Sequence, residues 1–109
     1  MSPMKFTIGA DASGSQFQMS VDDLLEVVLR ENPTTGYRWD ITQIPNNVEL
    51  RHSRFSGSPE GAIGASGLRT VSLRAIHPGQ GRLELMLVRK WEPTAPIEEF
   101  QIELVVLRD

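Results

Sequence analysis

Asn32-Pro33-Thr34-Thr35-Gly36-Tyr37-Arg38-Trp39-Asp40-Ile41 runs from a stiff loop into a strand, and the fold is built outward from it. Tyr37, Trp39 and Ile41 alternate with Arg38 and Asp40, the period of a strand with one buried face. In the loop before it, Pro33 sets one φ angle. Thr34 and Thr35 restrict χ1, and Gly36 permits the reversal that restarts the chain. A stiff loop held out from a β scaffold is built to contact something. It reads as a binding element rather than a catalytic one.

On either side of this stretch, alternation dominates and helical periodicity is almost absent. Lys5–Gly9 and Gln16–Ser20 are short strands separated by a turn around Ser13-Gly14-Ser15. Leu24–Arg30 places Leu25, Val27 and Leu29 on one face; Val27-Val28 and the Asn32-Pro33 stop favour a strand there over a helix. Val48–Phe55 is a weaker strand after the turn Pro45-Asn46-Asn47. Arg69–Ile76 sets Val71, Leu73 and Ala75 inward against Thr70, Ser72 and Arg74. His77-Pro78-Gly79-Gln80 carries Pro then Gly at the centre of a type II turn. Leu83, Leu85 and Leu87 alternate through Arg82–Val88, and Phe100, Ile102, Leu104 and Val106 through Ile97–Leu107. Seven or eight short strands, at spacings of roughly 8–12 residues, predict an all-β fold, either a small barrel or an immunoglobulin-like antiparallel β-sandwich. Trp39, on the third main strand, resembles the core tryptophan of such domains and is assigned to the core. With no cysteine in the chain, aliphatic residues must fill the volume around it.

At 109 residues, with 39% hydrophobic and 23% charged, the chain is expected to form one domain over 1–109 with an ordinary core. A net charge of −3 argues against a nucleic-acid footprint. Having no cysteine excludes a disulfide framework, a thiol redox centre and a thiolate metal site. His52 and His77 are too few to hold a metal by themselves, so no metal or other cofactor is expected. No segment approaches membrane-spanning length, and the N-terminus has no apolar stretch of signal-peptide size. Either the protein is cytosolic or a leader has been removed; both alternatives stay open.

The strand order makes a functional statement possible. If each main strand opposes the one before it, the connections Glu31–Gly36, Ser56–Gly67 and Lys90–Pro96 fall at one end. They include the longest and most Gly- and Pro-rich segments, while the opposite end has tight turns. Long loops gathered on one pole of a rigid sandwich are where binding usually sits. In immunoglobulin lettering these are the B–C, D–E and F–G loops.

Three motifs in those loops, in this order, resemble the chagasin-type protein inhibitors of papain-like cysteine peptidases, across essentially the whole chain. Asn32-Pro33-Thr34-Thr35-Gly36-Tyr37 followed by Trp39 reproduces the family's B–C signature without a mismatch. Gly64-Ala65-Ser66-Gly67 matches its D–E Gly-x-Gly-Gly except at Ser66. Arg89-Lys90-Trp91 stands where the family commonly has Arg-Pro and an aromatic residue. The first motif is highly specific at that length; the other two gain weight from order and spacing.

The resemblance implies a monomeric wedge of three loops entering the active-site cleft of a papain-like, cathepsin L-type peptidase. The B–C loop would sit at the catalytic Cys–His pair. Asn32, Pro33, Thr34, Thr35, Gly36, Tyr37, Gly64, Ala65, Ser66, Gly67, Arg89, Lys90 and Trp91 would make the contact. Trp91 is the expected anchor, since exposed tryptophans are enriched at interface hot spots. Strand parity alone, continued through Leu83, Leu85, Leu87 and Arg89, would bury it; Glu92-Pro93 indicates that the strand has ended. Arg89 has two equal roles open to it, contacting the peptidase or bracing the B–C loop through its guanidinium.

Other readings are weaker. Gly61, Gly64 and Gly67 lack the Gly-Lys-Ser/Thr and following helix of a phosphate loop. Pro33 excludes glycosylation at Asn32. Neither histidine lies in the converging loops, so no catalytic residue and no enzyme activity are expected. The serious rival is an immunoglobulin-like adhesion or ligand-binding module on the same scaffold, because fold does not fix function.

Overall fold

The computed structural model describes residues 3–57, 67–89 and 96–108. Eight strands follow in chain order: β1 (Lys5–Ile8), β2 (Gln16–Ser20), β3 (Leu24–Glu31), β4 (Tyr37–Gln43), β5 (Val48–Ser56), β6 (Gly67–Ala75), β7 (Gly79–Arg89) and β8 (Glu98–Leu107). They form two four-stranded sheets, β1-β3-β6-β5 and β2-β8-β7-β4, the immunoglobulin-like sandwich rather than the small barrel. Only two short 3₁₀ turns, Ala10–Ala12 and Pro33–Thr35, interrupt the β pattern among the described residues.

The inward residues of each strand make the core. Leu25, Val27, Leu29, Val71, Leu73 and Ala75 come from the first sheet. Trp39, Leu83, Leu85, Leu87, Phe100, Ile102, Leu104 and Val106 come from the second. Trp39 is buried, as its parity predicts. Burying a side chain of Val, Leu or Phe size contributes about 1.5–3 kcal/mol, so these alternating positions dominate the stability.

The structure departs from the sequence reading in four details. β1 and β2 pair parallel, with β3 and β8 respectively, whereas all the main pairings are antiparallel. The chain crosses from the edge of one sheet to the edge of the other through Ala10–Ala12 and a turn at Gly14, whose φ is 86°. Second, β7 starts at Gly79 rather than Arg82, and Gly79 already pairs with Val106. Its φ of 143° lies well beyond the roughly +80° of a type II turn. Third, β5 is an edge strand with a bulge between Leu50 and His52, and Leu50 is exposed although it pairs with the buried Leu73. Fourth, Glu31 belongs to β3 and not to the loop after it.

Register fixes where the connections lie. Glu31 pairs with Gly67 and Ser56 with Leu68 at one end of the first sheet. Tyr37 pairs with Arg89 and Leu87 with Glu98 at the same end of the second. The stems of all three predicted loops therefore meet at one pole. At the other pole, Asn47 ties the turns together. Its Nδ2 donates to the carbonyls of Gly79 (2.9 Å) and Leu104 (3.0 Å), and its backbone carbonyl accepts from the Ile76 amide.

Candidate functional site

Between β3 and β4 the chain makes a single 3₁₀ turn, Pro33–Thr35, whose shape is set by its own residues. Asn32 is extended, and its Oδ1 accepts from the Thr34 amide (3.1 Å) and the Thr34 hydroxyl (2.7 Å). That is an N-cap, with Pro33 at the first turn position, where its missing N–H costs nothing. The Thr35 hydroxyl donates to the Asn32 carbonyl at 2.8 Å and in turn accepts from the Tyr37 amide at 3.3 Å. Gly36 closes the turn in the left-handed region, φ 80°, ψ −4°, with its amide on the Pro33 carbonyl. Nearly every residue of the motif thus has a specific structural reason to be there. Pro33, Thr34 and Thr35 remain exposed.

Two outside contacts hold this turn. Arg89, the last residue of β7, donates from Nε to the Thr35 carbonyl at 2.9 Å, and its guanidinium lies 4.4 Å from the centre of the Tyr37 ring. Of the two roles the sequence left open for Arg89, the geometry supplies the brace. Trp39 then closes the base: its indole Nε1 donates to the Arg30 carbonyl at 2.8 Å, linking strands of opposite sheets.

Gly67, where the D–E loop re-enters the sheet, is buried and allows no side chain. A Cβ there would come within 2.3 Å of the Ser56 carbonyl oxygen and 2.6 Å of the Phe55 ring. The structure thus brings Asn32–Tyr37, Gly67 and Arg89 to one pole. Gly64, Ala65, Ser66, Lys90 and Trp91 lie outside the described residues. Between the B–C turn and the base of the F–G loop is an open, mostly apolar pit of about 310 Å³, with Thr35, Tyr37, Leu87 and Ile97 among its walls.

Two residues at this pole escaped the sequence reading. Glu31 is 3% exposed and Arg69 8%. The Arg69 guanidinium meets the Glu31 carboxylate twice, NH2 to Oε2 at 2.7 Å and Nε to Oε1 at 3.2 Å. Glu31 Oε1 also accepts from the Trp39 amide at 2.8 Å. A signal was present. Glu31 continues the parity of Leu25, Val27 and Leu29, and Arg69 that of Val71, Leu73 and Ala75, so both charges point inward.

Residues 18–106 match the family described as chagasin family peptidase inhibitor I42. Amoebiasin-2 of Entamoeba histolytica is 30% identical over 76 residues, covering 68% of this chain and 62% of that protein. The match thus spans a little under two thirds of Amoebiasin-2. The crystal structure of EhICP2, a cysteine protease inhibitor from the same organism, superposes with a TM-score of 0.85 at 24% identity, covering 95% of this chain and 97% of that one. PbICP-C, solved in complex with falcipain-2, gives 0.56 at 18% identity, covering 96% of this chain and 89% of that one. At those identities the structural likeness speaks for the fold. The family match, running over most of the chain from β2 to the end of β8, places it: the chain belongs to the chagasin family of peptidase inhibitors.

Proposed function

We propose that this chain is a tight-binding, reversible, competitive inhibitor of papain-like cysteine peptidases, acting as a monomeric single domain. The B–C turn occupies the catalytic centre, and the D–E and F–G loops grip the cleft on either side. The observation that carries this reading is the self-bonded turn of Asn32–Gly36, which presents Thr34 and Thr35 outward. Cleavage requires an extended substrate segment with its carbonyl in near-attack geometry over the thiolate. A 3₁₀ turn capped by Asn32 and closed by a left-handed Gly36 does not offer a peptide bond in that form. It blocks the site and is not cut. Because the turn is ordered before binding, little conformational entropy is lost on association.

Membership of an inhibitor family sets enzymatic function aside, and the solved complex of PbICP-C with falcipain-2 supports a peptidase as partner. The test is titration into papain and a cathepsin L-type peptidase with a fluorogenic peptide substrate. Stoichiometric, competitive and reversible loss of activity is expected, with the inhibitor recovered intact. No effect at micromolar concentration against several such peptidases would favour the adhesion module.

A further inference from the structure

The geometry assigns Glu31 and Arg69 as positioning residues: their buried ion pair sets the B–C turn relative to β5 and β6, the stems of the D–E loop. This rests on the inhibitor reading above and adds residues that touch no peptidase. Three strands that carry those loops meet at this one carboxylate. Glu31 ends β3, the strand leading into the B–C turn. Trp39, whose amide binds Glu31 Oε1 at 2.8 Å, lies on β4, the strand leading out of it. Arg69 lies on β6 two residues after Gly67, where the D–E loop ends. Arg69 also reaches the other D–E stem, with NH1 on the Ser53 hydroxyl at 3.4 Å and its guanidinium 5.8 Å from the centre of the Phe55 ring.

β3 and β4 belong to different sheets, so no backbone ladder fixes their spacing at the base of the turn. The Trp39 amide on Glu31 and the Trp39 indole on the Arg30 carbonyl supply the link that a ladder would. A two-pronged guanidinium contact then fixes that link in orientation as well as distance. Stability alone does not explain charges here. Apolar side chains of similar volume commonly do as well as a buried ion pair, whereas removing one partner strands a buried charge.

That contrast supplies the experiment, made on the whole chain with the inhibition constant measured well below the melting temperature. Arg69→Met alone should lower the melting point. The double variant Glu31→Leu, Arg69→Met should recover only part of it, because the buried Trp39 amide still lacks its acceptor, and should inhibit roughly 10–100-fold more weakly, chiefly through faster dissociation. A double variant as stable as the parent and equally inhibitory would overturn the assignment. Arg69→Lys keeps the charge and loses the fork, so it guards against a double variant that does not fold. It should weaken inhibition several-fold, and equal inhibition would again count against the pair. Amide exchange at Thr34, Thr35 and Gly36 should accelerate in each variant, a readout that needs no peptidase. If the parent inhibits nothing, the functional reading fails, while unchanged exchange would refute the positioning role by itself.

Discussion

Trp39 fills the core with its ring and ties β4 to the end of β3 with two N–H groups, its indole on the Arg30 carbonyl and its amide on the Glu31 carboxylate. Its parity with Tyr37 and Ile41 is enough to send it inward, and the structure leaves it 6% exposed. Its amide on Glu31 was not legible, because hydrogen bonding between strands of different sheets leaves no periodic trace. Glu31 itself was hidden by its chemistry: a carboxylate just before Asn32-Pro33 looks like the start of a loop. Only the matching inward charge at Arg69, 38 residues later, makes its burial tolerable. Trp39→Ala should cost about 3–5 kcal/mol, the range for deleting a large buried aromatic. It also leaves the Arg30 carbonyl without the indole donor. Urea unfolding followed by circular dichroism measures this, and a fully stable variant would contradict the burial.

At the scale of elements, the strands that fill the core were legible nearly to their ends, because each buries every second residue. The edges were not. β1 and β2 bury little, so nothing in their composition says which neighbour they meet or in which direction. β5, exposed along most of its length, carries a bulge at Leu50 that alternation does not foretell. The B–C turn is the opposite case, since its cap, its proline and its left-handed glycine are all local choices written in consecutive residues. What the sequence could not decide was whether Arg89, 54 residues away, braces the turn or is kept for the peptidase; the structure shows the brace. Removing it by Arg89→Ala frees the Thr35 carbonyl and uncovers the Tyr37 ring. A hydrogen bond to a charged donor contributes about 1.5–3 kcal/mol. If that energy holds the turn in its binding shape, inhibition weakens about 10–100-fold. Global stability should fall by less than that energy, since the exposed turn can loosen locally while the core beneath it stays folded. Inhibition constants and melting curves on the same preparation check both halves. Full inhibition by the variant would show that the turn keeps its shape unaided.

Across the whole molecule, work is divided between two poles, and a pair of substitutions separates them. At the pole away from the loops, Asn47 is 5% exposed, with its side-chain amide on the carbonyls of Gly79 and Leu104. Asn47→Ala takes the side-chain donor from the buried contact at the Leu104 carbonyl, at a cost of about 1–3 kcal/mol, and from the Gly79 carbonyl, which is only partly buried. Among the described residues, no side-chain hydrogen bond or ion pair joins Asn47 to the B–C turn. At a temperature where the variant is still folded, its inhibition constant should equal the parent's. Trp91→Ala is expected to do the reverse. If the indole fills an apolar subsite of the peptidase, truncation weakens inhibition by about 2–4 kcal/mol, as at other interface hot spots, with the unfolding midpoint nearly unchanged. If parity wins and the indole packs inside, the same substitution lowers the midpoint as Trp39→Ala does. Measuring both quantities for both variants decides it. A drop in inhibition from Asn47→Ala would mean that the two ends of the sandwich are coupled and that the binding pole is not built independently of the scaffold beneath it.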